Sequence, residues 1–227
     1  MALDSTPDTH AERDQIVSAA NAYRAGSAPD AGVTGLDDRI FAEARGTYVT
    51  ARSDYQLAVA ASRSASDAAD DKDDAFDTTL RQWVRTVNDP EGKSLSSQLS
   101  KLMGGTNPAQ LVNLPYRKEL NKIESLFNKL PENPLLQGNA EKLTALKTVT
   151  TEFKPLVDAD EAATRDMLNK GKVLGTATVG FDKAYTKFLR AVRALLGDEA
   201  TFAILPRFVR REPVARPATE TPPSPPT

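Results

Sequence analysis

The chain of 227 residues has no cysteine and a single histidine, His10. The first absence removes disulfides, thiolate nucleophiles and cysteine-held metals. The second leaves little for a Ser-His-Asp triad or an imidazole metal site, because His10 falls in a polar N-terminus expected to fray. Glycine-rich phosphate cradles of the GxGxxG and GxxxxGK[ST] types are missing as well, so nucleotide binding has no support. No run of residues approaches the roughly 18 apolar positions of a membrane span. The opening residues Met1 to Asp8 have neither a basic start nor an apolar stretch, and are not expected to be a signal peptide. A cytoplasmic location is the default expectation. Aromatic residues are scarce at 6%. A thick sandwich core is therefore not expected, whereas closely approaching alanine-lined helices are.

What the chain does have is helical periodicity. Between Gly35 and Val87 there is no proline. Small and apolar residues recur there at Ile40, Ala44, Tyr48, Ala51, Tyr55, Ala58, Ser62, Ala65, Ala69, Phe76, Leu80, Trp83 and Val87. Steps of three, four or their sums make the stripe of an amphipathic helix, about 50 residues and about 75 Å long if unbroken. A hairpin turn at Ser64 to Asp67 is the rival reading. It is disfavoured because the phase of the stripe is kept and no Gly, Pro or Asn is present to make the turn. A second stripe runs from Leu143 through Leu146, Thr150, Phe153, Val157, Asp160, Thr164, Met167, Gly171 and Leu174. It continues through Thr178, Phe181, Tyr185, Phe188 and Val192 to Leu195. Pro155 is expected to kink this helix, and Gly171 to offer a point where it could end.

Shorter helices are expected at Ala11 to Ala25, Ser94 to Met103 and Tyr116 to Leu130, with one or two turns from Asp198 to Leu205. Ser27 to Gly35 and Thr106 to Leu114 read as loops. The predicted fold class is all-α: an elongated helical bundle, coiled-coil-like, built on two long helices at about 37–87 and 139–196. The expected domains are a disordered 1–10, one helical domain over 11–205, and a basic then proline-rich disordered tail over 206–227. Antiparallel packing of the long helices is favoured, as in most helical bundles.

The segment Ala75 to Val87 resembles Gly180 to Val192 at a spacing of 105 residues, with Phe-Asp, a later Arg and the final Val identical. The order of short helix, loop, long helix and short helix also repeats. A tandem duplication, with units near 11–105 and 115–205, is the reading this suggests.

Net charge is −2 but unevenly placed. Residues 1–100 carry 17 acidic and 10 basic side chains, and residues 101–227 carry 14 and 19. The acidic run Asp67, Asp70, Asp71, Asp73 and Asp74 is the best metal candidate, yet it lacks the turn glycine of a calcium loop and reads as a solvated helix face. Asp160 and Lys72, each on an inward stripe, are a candidate ion pair. No catalytic, cofactor-binding or metal-ligating residue is assigned, and no cofactor is expected.

Arg207, Phe208, Arg210, Arg211 and Arg216 form a basic patch that is the candidate partner-binding site. Pro222 to Pro226 adds a PxxP spacing. The chain is expected to be a non-enzymatic structural or protein-interaction helical protein, an adaptor or spacer, with another protein as partner and self-association through the helices open. Nucleic acid is not expected. The alternative is a membrane-active helical protein, motivated by the apolar stretch Val173 to Phe181. A carboxylate-metal enzyme is a minor third reading.

Overall fold

A computed structural model describes residues 7–87 and 95–208. Among them there are eight α-helices and no strand: α1 His10–Ala25, α2 Ala31–Leu36, α3 Ala42–Val84, α4 Ser96–Leu102, α5 Pro108–Leu111, α6 Tyr116–Lys129, α7 Ala140–Leu196 and α8 Asp198–Ile204. The all-α bundle on two long helices is thus what the chain forms, with the short helices flanking α3 and α7. Two compact units divide the chain. The first takes residues up to Thr50 and from Gly175 onward, and the second is Ala51–Leu174.

In the first unit, the start of α3 lies antiparallel to the end of α7. Phe41 stacks on Phe188 with ring centroids 5.3 Å apart, and Tyr48 meets Phe181 at 4.8 Å. Higher numbers on one helix thus meet lower numbers on the other. Phe41, Tyr48, Phe181, Tyr185 and Phe188 are all buried. Such ring pairs contribute about 0.5–1.5 kcal/mol each beyond the area they bury. α1 covers this seam with Ile16 and Ala20, and α8 with Thr201, followed by buried Leu205. α1 begins at Thr9, whose side chain accepts from the Glu12 backbone while the Glu12 carboxylate accepts from the Thr9 N–H, the reciprocal capping box.

His10 is therefore not frayed. Its Nδ1 lies 3.0 Å from the Tyr48 hydroxyl, and the two rings stack at 5.9 Å. The expected loop at Ser27 to Gly35 is also partly helix. Asp30 caps α2 by accepting from the Val33 N–H, a role readable from its type but hidden by the neighbouring Gly and Pro. A π-turn over Asp37–Phe41 then joins α2 to α3. The extra residue of a π-turn shifts the helical phase. At the start of the seam Phe41 and Arg45 are buried, while Ile40 and Ala44, expected there, are half-buried.

In the second unit the end of α3 is antiparallel to the start of α7. Ser62 and Thr164 hydroxyls meet at 3.3 Å, Lys170 donates to Asp54 at 3.1 Å, and Phe76 packs on Phe153 at 5.7 Å. Phe76, Leu80, Trp83 and Val87 join Leu99 and Met103, at and just beyond α4, and Leu120, Ile123 and Leu126 of α6 in one core. α3 runs through Ser62 to Asp74 as unbroken helix, without the rival hairpin. α7 likewise remains helical across Pro155 and Gly171. Buried Phe153, Val157 and Leu174 on either side hold it to the core, so tertiary packing overrides the local propensity. α5 lies inside the expected Thr106 to Leu114 loop. It is capped by Asn107, which exchanges hydrogen bonds with Gln110.

Buried positions in and beside α3 recur in α7 at the 105-residue spacing. Phe41 matches Leu146, Arg45 matches Thr150, and Tyr48 matches Phe153. Phe76 matches Phe181, Leu80 matches Tyr185, Trp83 matches Phe188, and Val87 matches Val192. All fourteen residues are buried. No helix among the described residues is long and apolar enough to cross a membrane.

Two glycine classes give a test. Gly138 has φ +62° and sits where a Cβ would lie 2.6 Å from Thr86 Oγ1 and 2.9 Å from Val87 Cγ2. Gly46 and Gly175 are in helix interiors with open space around them. Gly46→Ala and Gly175→Ala are expected to stabilise the fold by about 1 kcal/mol each. Gly138→Ala is expected to destabilise it. Chemical denaturation midpoints of the three variants check this, and equal shifts of one sign would contradict it.

Candidate functional site

The densest unsatisfied polar chemistry lies in the second unit, where α6 crosses the end of α3. Asp73 and Asp77 are four residues apart and share one face of α3. Glu119 enters from the first turn of α6. One carboxylate oxygen from each of the three lies within 4.8 Å of the others. Glu119 is only 1% exposed, and the two aspartates are half-buried. Asp73 Oδ1, Asp77 Oδ1 and Glu119 Oε1 are all buried without a hydrogen-bond partner. An unpaired buried polar group costs about 1–3 kcal/mol, more if charged.

α6 is placed here by its sequence. Leu120, Ile123 and Leu126 form its buried stripe, and Pro115 precedes its first turn. That stripe fixes the rotation of the helix, and Glu119, adjacent to Leu120, is carried to the margin of the core with it.

The carboxylates shift one another's protonation. Burial pushes Glu119 up to about 9, helped by the charge of Asp73, the hydrogen bond to it, and the charge of Asp77. Burial also raises Asp73, opposed by the hydrogen bond from Glu119 and reinforced by Asp77, Asp74 and Asp70. Asp77 is raised by burial and by Asp74, and lowered by Arg81. Arg81 Nη2 donates to Asp77 Oδ2 at 3.0 Å from the exposed face, leaving Oδ1 turned inward. Beside the cluster, the Tyr116 hydroxyl donates to Asp70, which raises the Tyr116 pKa.

The expected acidic run is divided by the fold. Asp67, Asp70, Asp71 and Asp74 are exposed, and Asp73 alone of the five joins the cluster. Asp77 and Glu119 were not singled out from sequence. Asp77 stood within the Phe-Asp echo, and Glu119 sat one position from the apolar stripe of α6. The expected Lys72–Asp160 pair does not form: Lys72 pairs with Glu152, while Asp160 lines a cleft with Pro115, Tyr116, Arg117, Val157 and Glu161. α7 presents Glu152 on the turns facing Lys72, two helical turns before Asp160.

Of the candidate partner-binding residues, Arg207 and Phe208 are described, with Arg207 stacked over the Phe202 ring at 5.1 Å. Arg210, Arg211 and Arg216 lie outside the described residues, as do the PxxP segment and Met1 to Thr6. No protein family, no curated protein and no solved structure matches this chain.

The raised Glu119 pKa fixes the sign of a pH effect. Between the ordinary 4.5 and about 9 the folded chain holds a proton that the unfolded chain has released. Stability therefore falls as pH rises through that window, at most by about 1.4 kcal/mol per pH unit. Urea unfolding at pH 5 and pH 8, with chelator present, should show the wild type losing stability relative to Glu119→Gln. Parallel pH dependence in the two proteins would refute this.

Proposed function

We propose that the chain is a non-enzymatic structural or protein-interaction protein, a helical adaptor or spacer that works by engaging another protein. The observation that carries this reading is the deployment of its charged groups between helices. Arg13 of α1 holds Asp182 of α7 at 2.7 Å, and Arg24 of α1 holds Asp37 of the π-turn at 2.8 Å. Arg117 of α6 holds Glu161 of α7 at 2.9 Å, and Lys170 of α7 holds Asp54 of α3 at 3.1 Å. These pairs brace one helix against the next within each unit, which suits a framework that presents surfaces. Exposed surface pairs add little stability, but they restrict which helix faces turn outward.

Outward faces carry large apolar side chains. Leu57 is 67% exposed and Leu168 57%. Affinity capture with the full chain should recover a protein whose yield falls at least about tenfold, or about 1.4 kcal/mol, in Leu57→Glu or Arg207→Glu. The circular dichroism of these variants should be unchanged. Failure to recover any protein sensitive to either substitution counts against the interaction reading.

We further infer that the chain arose by tandem duplication. Supporting this are the seven matched pairs of buried residues and the short helices on either side of each long one, α1 and α4 about α3, α6 and α8 about α7. In each unit the start of one long helix pairs with the end of the other. A half-length ancestor would thus have paired with a second copy of itself. A fragment spanning 7–105 is expected to run as a helical homodimer in light scattering; a folded monomer would oppose the idea.

A further inference from the structure

We propose that Asp73, Asp77 and Glu119 bind one hard divalent cation, of the calcium, magnesium or manganese kind, in the second unit. This goes beyond the interaction reading and does not depend on it.

Two independent observations carry the proposal. The first is Glu119 itself, 1% exposed, with Oε1 buried and without a hydrogen-bond partner and a carboxylate oxygen within 4.8 Å of both aspartates. The second is a comparison between the two units. In the first, Asp182 follows the buried Phe181, and Arg13 of the covering helix α1 grips it with Nε at 2.8 Å and Nη2 at 2.7 Å. In the second, Asp77 follows the buried Phe76 in the same way, and the covering helix α6 presents Glu119. Where one unit neutralises its aspartate with a guanidinium, the other sets a further carboxylate against it. A corner of this composition calls for a cation from outside the chain.

The chemistry agrees in type, spacing and charge. All donors are carboxylate oxygens, which suit hard cations rather than zinc or copper. Oxygens bound to calcium at 2.3–2.6 Å lie about 3.4–4.8 Å from one another, and one oxygen from each of the three carboxylates falls within 4.8 Å of the others. With Arg81 already paired to Asp77 Oδ2, the three ionised carboxylates leave a local charge of about −2. Water completes the coordination, since three protein donors are fewer than the six or more such ions take. Around the cluster, Asp70 and Asp74 act on Asp73 through their charge, and Arg81 and Asp74 act on Asp77.

The test is isothermal titration of the chelator-treated full chain with calcium, magnesium and manganese chlorides at pH 7. One equivalent is expected to bind. Glu119→Gln and Asp77→Asn should each weaken binding at least tenfold. Glu119→Arg should abolish it while raising the melting temperature, because that substitution rebuilds the Arg13–Asp182 arrangement in the second unit. The proposal is overturned if none of the three ions binds, or if affinity is unchanged in both Glu119→Gln and Asp77→Asn. Unchanged affinity would assign the binding to the exposed acids of α3.

Discussion

The antiparallel contact of the two long helices governs everything else in this protein. Its grip is strongest where aromatic rings interlock, at Phe41, Tyr48, Phe181, Tyr185 and Phe188 in one unit and at Phe76 and Phe153 in the other. Between such zones the facing residues are small, among them Ala58, Ser62 and Ala69. Small residues bury little area each, so they permit close approach without anchoring it. The rings fix the register, and register decides which polar side chains meet. Ser62 with Thr164 and Lys170 with Asp54 both follow from it.

The carboxylate cluster is a product of the same constraint. α6 is held by Leu120, Ile123 and Leu126, and these leave no freedom to turn Glu119 away from Asp73 and Asp77. Acids do not assemble in a buried place for their own stability, since each raises the cost of ionising the next. The packing must supply that cost. In the other unit, the aspartate that follows a buried phenylalanine, Asp182, is instead held by Arg13.

Periodicity made the fold legible. Two stripes, their small middles and the aromatic C-terminal ends are visible directly in the residues, and the continuous course of α3 follows from phase alone. Local signals misled where packing outweighed them. Gly171 and Pro155 read as interruptions, yet Phe153, Val157 and Leu174 carry the helix past both. The π-turn at Asp37–Phe41 has no sequence signature, and the sequence stripe did not signal that Phe41 and Arg45, rather than Ile40 and Ala44, are buried. The candidate site was half visible. Asp73 lay in the acidic run, but Glu119 is distant in the chain, and only the rotation of α6 brings it in. A single carboxylate beside an apolar stripe is ordinarily a solvated neighbour, which is why its type and position gave no warning.

The division of the chain also bears on how it is made. Ala51–Leu174 is one uninterrupted segment, so its unit has every partner once that stretch has left the ribosome. The other unit needs its first strip of chain to wait for residues beyond Gly175, with the apolar faces of α1 and the start of α3 uncovered meanwhile. Closing so long a loop is slow relative to local contacts. Until residues beyond Gly175 are made, Ile16, Phe41 and Tyr48 lack the α7 partners that bury them in the folded unit.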